Sequence, residues 1–221
     1  MKKILLLLTL LCLLAPAGAH AEQFGLYLAP KLIYGVQNFD MKESVPNGSI
    51  GLGSHSENVF GAGLAVGYDF GLYSALPVRA ELEYATFTEA KASASGRTLG
   101  LAYNASGKVD VDTLFLNAYY DFRNETRFTP YLGAGLGMSF VSMKGSDSGN
   151  DYGKHEETNL AWNVGLGCAY LLTEGLSLDL GYRYADLGEA RTGSLRVHGG
   201  SSLKTDEVTM HQFMLGARFS F

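Results

Sequence analysis

Cysteine is close to absent: the chain carries two, Cys12 and Cys168. With Cys12 inside an N-terminal leader described below, one thiol remains, and an internal disulfide is excluded as a source of stability. An excess of positive charge is also missing. Lysine and arginine total 17 against 22 aspartates and glutamates, which excludes the basic stripe a nucleic-acid partner requires. Beyond residue 21 no stretch approaches the roughly 20 consecutive apolar residues of a membrane helix. If this chain enters a membrane, it does so as strands. Neither zinc-ligand spacing nor a twelve-residue calcium loop is present. The nearest approach, Lys154 to Glu157 beside Asp147 to Asp151, reads as a solvated loop. The "GAGLG" of Gly133 to Gly137 lacks the helix N-terminus that would hold a dinucleotide, so its glycines simply continue a strand. No cofactor is expected.

What is present begins at the N-terminus. Lys2 and Lys3 precede an apolar run from Ile4 to Leu14 and an Ala19-His20-Ala21 ending. A charged start, a hydrophobic stretch too short to span a bilayer and an A-x-A pattern specify a secretory signal peptide over residues 1–21. The mature chain, 22–221, then has 15 basic and 22 acidic residues, a net charge of −7 by subtraction.

Period-two alternation dominates that mature chain. Eight segments carry it: 24–36, 59–70, 78–86, 111–122, 128–140, 160–172, 176–184 and the terminal "QFMLGARFSF". Such a period is the signature of strands. The connections alternate too. Short links follow the second, fourth and sixth segments, whereas the others are polar and run to about fifteen or twenty residues, as in "DMKESVPNGSIGLGSHSEN" and "KASASGRTLGLAYNASGK". Short turns at one end and long polar loops at the other predict an all-β fold. The pattern is an eight-stranded antiparallel up-and-down transmembrane β-barrel with short periplasmic turns and four long extracellular loops. Closure would remove the edges that hydrocarbon does not tolerate.

The two faces of these strands differ in kind. One is bulky and apolar, rimmed by Phe60, Tyr68, Phe70, Tyr84, Tyr120, Phe122, Trp162, Tyr170, Tyr182 and Tyr184; the other is glycine, alanine and charge, with Ile33 breaking the rule. Charges facing lipid would cost several kcal/mol each near the midplane. They are therefore expected inside and paired: Lys31, Arg79, Arg183 and Arg218 against Asp69, Glu81, Glu83, Asp121 and Asp179. Such a lumen is a plug.

At "NAYYDF", "FTPYLGAGLG", "LSLDLGYRY" and "FMLGARFSF" the chain resembles the opacity-like and outer-membrane protein A-like eight-stranded barrels of Gram-negative bacteria. The resemblance implies a monomeric barrel in the bacterial outer membrane. Its last aromatic strand (Phe213, Leu215, Phe219, Phe221) would be read by the barrel-assembly machinery. Relatives act as adhesins, invasion or serum-resistance factors, or tethers. Outer-membrane protein A continues into a peptidoglycan-binding domain, and a sequence ending at Phe221 is expected to form no direct cell-wall tether.

The function expected is a non-enzymatic surface barrel. It would present its loops for adhesion or surface interaction, contribute to envelope structure, and contact membrane lipid, lipopolysaccharide and a host or surface ligand. Two alternatives are a small diffusion porin, which the paired lumen disfavours, and a lipid A-modifying enzyme. The latter needs a Ser-His pair within hydrogen-bond reach, and no strand carries a His-x-Ser; His211 sits beside Thr209 and Gln212 instead, while His55, Ser56 and His198 fall in loops. Tyr103 and Tyr152 are loop residues available for contact, and Cys168 is a small hydrophobe on the apolar face.

Overall fold

The computed structural model describes residues 25–45, 48–72, 76–98, 101–147, 150–188, 190–191 and 202–221, with side chains over 25–38, 56–71, 76–90, 109–142, 156–188 and 208–221. Ten strand segments make the sheet. They are β1 (Leu26–Val45), β2 (Gly48–Asp69), β3 (Val78–Phe87), β4 (Ala90–Thr98), β5 (Leu101–Asp121), β6 (Phe128–Asp147), β7 (Asn150–Thr173), β8 (Leu176–Asp186), β9 (Ala190–Arg191) and β10 (Ser202–Ser220). β3 and β4 both pair with β5, and β8 and β9 both pair with β10, so each couple is one interrupted strand. The ten segments thus make eight antiparallel traverses. β1 pairs with β10 from Tyr27↔Ser220 upward, which closes the barrel. The closing strand is sealed at its end by the Phe221 amide donating to the Leu26 carbonyl at 2.9 Å.

Alternation sets the direction of every side chain, because successive Cβ atoms point to opposite faces. Leu116 and Leu180 are 62% and 67% exposed on the outer wall, whereas Arg79 and Arg183 are each 2% exposed inside. The bulky face therefore looks outward. Among the described residues no helix is long and apolar enough to cross a membrane; the strands form the wall.

Two levels on the outside bound the apolar band. At the short-turn end, aromatic pairs gather: Tyr68 with Phe70, Tyr120 with Phe122 and Phe128 with Tyr170, their ring centroids 4.8–5.1 Å apart. At the other level, polar pairs appear on the same outward face. The Ser56 hydroxyl donates to Asn38 (2.7 Å), the Thr86 hydroxyl to Asp112 (2.6 Å), and the Trp162 ring N–H to Asp186 (3.1 Å). Ten residues of tilted strand separate Asp112 from Phe122, roughly 25 Å along the barrel axis, which is the height of an outer-membrane apolar band.

Above that upper level the strands continue, which departs from the expected long loops. β1 and β2 pair as far as Val45↔Gly48, β4 and β5 as far as Thr98↔Leu101, and β6 and β7 as far as Asp147↔Asn150. Strand alternation in a sequence reports a contrast between a wet and a dry face. A hairpin rising into water has little such contrast, so these residues read as loop.

The interior also departs from expectation, being apolar in its upper part. Ile33, Val59, Phe87, Val111, Phe115, Val141, Leu187, Val208 and Met210 pack there as one buried cluster. In "VDVDT" the inward residues change from valine to threonine while the outward ones change from aspartate to leucine. The polarity of the two faces thus reverses along the axis at the level of Asp112. Ile33, the exception to the first strand's pattern, points inward into this cluster at 2% exposure.

Candidate functional site

Below the apolar tier lies the ionic one. Glu83 is its centre, fully buried on β3, with Lys31 Nζ at 2.6 Å on one oxygen and Arg183 Nη2 at 2.7 Å on the other. Lys31 also donates to Glu81 at 2.6 Å, and Glu81 accepts from the Tyr27 hydroxyl at 2.9 Å. Arg79 Nε donates to both Asp121 oxygens, at 3.0 and 2.8 Å. Arg218 pairs with Asp179 at 3.4 Å. Adjacent strands place these groups: Glu81 and Glu83 are two residues apart on β3, and so share its inward face.

Asp69 takes another partner. It accepts from Arg123, in the turn between β5 and β6, and from the Gly71 amide at 2.8 Å. Among the described residues the interior is then four cations, Lys31, Arg79, Arg183 and Arg218, against four carboxylates, Glu81, Glu83, Asp121 and Asp179. Pairing the charges this way leaves the lumen neutral, a balance hidden in the sequence because Arg123 belongs to no strand.

Sequence reasoning missed the tyrosines and the amides. Arg79 lies over the rings of Tyr119 (4.9 Å), Tyr131 (5.1 Å) and Tyr27 (5.9 Å). Their position in the glycine and charge phase of the strands was the available signal. Small lumenal residues opposite make the space: an added Cβ on Gly67 would fall within the Tyr27 ring. Arg183 also donates to Gln212 at 2.8 and 2.6 Å, and Asn163 donates to Asn117 at 2.9 Å, forming a polar layer between the two tiers.

Between them the tiers close the lumen. Among the described residues the ionic tier leaves a cavity of about 20 Å³, room for about one water. Above it, Phe115, Leu187, Val208 and Met210 are completely buried. In planar bilayers the purified chain is therefore expected to show no stable, sizeable conductance; a steady channel would contradict the apolar seal.

The remaining candidates are placed as follows. Phe213, Leu215 and Phe221 are 52%, 52% and 39% exposed and Phe219 is half-buried, all on the outward face of the closing strand. His211 Nδ1 is 2.7 Å from the Tyr182 hydroxyl, a phenol and not the serine nucleophile that deacylation needs. Cys168 is outward and half-buried. The side chains of Tyr103, Tyr152, His55, His155 and His198 lie outside the described residues.

A closed barrel with hydrocarbon-facing leucines, aromatic pairs at its rim and a neutral ionic interior is a transmembrane β-barrel. The chain belongs to the outer membrane protein beta-barrel domain family, which matches residues 4–221. It resides in the bacterial outer membrane. It is 32% identical to outer membrane protein PagN of Salmonella typhimurium over 93% of both chains. It is 29% identical to a putative adhesin of Rickettsia bellii, over 76% of this chain and 78% of that one. The crystal structure of Neisserial surface protein A has the same fold at 21% identity, with a TM-score of 0.56 over 91% of this chain and all of that one.

Proposed function

We propose that this chain is a surface adhesin whose barrel is an anchor and whose elongated hairpins are the contact surface. The observation that carries the reading is the sealed lumen below strands that run on past the membrane: the wall gives no passage, yet much of the chain is spent above it. The relatives named as adhesins support the same reading. In this reading residues 1–21 are removed on export, the outward aromatic row ending at Phe221 is the signal for the barrel-assembly machinery, and the monomeric barrel performs no catalysis.

The test is attachment. A non-adherent Gram-negative host displaying the chain is expected to bind epithelial cells above the level of empty-vector cells. Shortening one hairpin at a time, within 40–58, 91–108, 144–159 or 188–207, should abolish binding for at least one, with heat-resistant β-structure retained. Undiminished attachment after all four shortenings, or none with the intact chain, would remove the adhesin reading.

A further inference from the structure

The outer wall is uneven around its circumference. On β1, β7, β8 and β10 an unbroken file of rings runs just below the upper polar level. Tyr34 is 6.4 Å from Phe213, Phe213 is 5.3 Å from Tyr182, and Tyr184 is 5.8 Å from Trp162. His211 joins the two halves, stacked on Tyr182 (6.1 Å, 28°) and edge-on to Tyr184 (5.3 Å, 64°). Along the strand register into β6 and β5 the outward residues are aliphatic instead: Trp162 pairs with Leu136, and Leu136 with Leu116.

The polar atoms of this patch are arranged about the histidine. Its Nδ1 meets the Tyr182 hydroxyl. Among the described residues no partner takes its Nε2 or the Tyr184 hydroxyl. The charged neighbour among the described residues, Asp186, has both carboxylate oxygens engaged: Oδ2 accepts from the Trp162 ring and Oδ1 from the Gly188 amide at 2.9 Å, Gly188 having the positive φ of 78° that lets the chain bend back over the carboxylate. Below the patch the wall is smooth hydrocarbon, with Leu166, Leu180 and Leu215 each more than half exposed.

We propose that this patch is a seat for the phosphorylated sugar headgroup of an outer-leaflet glycolipid. Its depth is that of the headgroups, one step below the polar pair Thr209↔Asp186. Imidazole and phenol groups hydrogen-bond phosphate oxygens in a partly dry setting, the flat face of Trp162 suits a sugar ring, and the leucines beneath receive acyl chains. His211 and Tyr184 hold the phosphate. The proposal rests on the outer-membrane location and not on the hairpins, so the adhesion assay and this one fail independently.

Trp162 is the sole tryptophan of the chain, and its emission reports the seat directly. The full chain, folded into phosphatidylcholine nanodiscs, would be titrated with lipid A, with dephosphorylated lipid A, with phosphatidylglycerol and with inorganic phosphate. A saturable emission change is expected with lipid A alone. Its midpoint should rise about tenfold in His211→Ala and in Tyr184→Phe, the loss of one good hydrogen bond to a charged group, and stay unchanged in Cys168→Ser, outward but nearer the short turns. Tyr184→Phe keeps the ring, so a folding defect in His211→Ala does not blunt the test. An equal response to phosphatidylglycerol, dephosphorylated lipid A or free phosphate, or unshifted midpoints in both seat variants, overturns the proposal.

Discussion

The Glu83→Gln barrel is expected to unfold from lipid vesicles about 3–5 kcal/mol more easily than the parent, the usual cost of removing one partner from a buried ion pair. Glutamine keeps the shape and removes the charge. Lys31 and Arg183, which flank Glu83 at 2.6 and 2.7 Å, are then two buried cations, with Glu81 accepting from Lys31 and Arg183 left with the neutral Gln212 and the Phe115 ring. The neutral interior becomes cationic. Adding Arg183→Met to Glu83→Gln takes away the stranded cation and should return part of the loss, with a coupling of roughly 0.5–3 kcal/mol between the two sites. Urea titration of the reconstituted barrel, followed by tryptophan emission, measures both. A single-variant loss below about 1 kcal/mol, the range of exposed pairs, would mean that water enters the ionic tier and that the apolar tier above does not isolate it.

The second large effect lies on the other face of the same wall. Leu116 is 62% exposed near the middle of the apolar band, six residues from Phe122 at the short-turn rim. Leu116→Arg is expected to cost about 2–4 kcal/mol in the same titration, and Phe122→Arg only about 0–1, because the penalty for charge on a lipid face decays from midplane to interface. The ratio matters more than either number. Equal losses at the two depths would contradict the assignment of the band between the aromatic pairs and the Thr86–Asp112 level.

The two effects correspond to two kinds of information, and the sequence held them unequally. Which residues face lipid was legible, since period two forces Leu114, Leu116 and Leu180 to one side and Arg79, Glu81 and Glu83 to the other. Ile33 and Phe115 were less so. Each is a large apolar residue in the inward phase, and without knowing its height on the barrel it looks like an error in the pattern. The hairpins above the membrane were not legible as strands, because water on both sides erases the alternation that reveals a strand. The tyrosine enclosure of Arg79 was legible in phase but not in partner: Tyr27, Tyr119 and Tyr131 come from three different strands, and only the closed barrel brings their rings within 6 Å of one guanidinium.

The sequence by itself determined that this chain forms strands of fixed inward and outward faces and that those strands close into an outer-membrane barrel, because side-chain period and turn spacing are local properties of the chain. Tertiary structure alone decided who pairs with whom. Asp69 is drawn to Arg123 and the lumen left neutral, the upper interior is sealed by apolar packing, and His211 is set among Tyr182, Tyr184 and Trp162. Each depends on the register and tilt of strands far apart in sequence, which closure fixes and no single segment encodes.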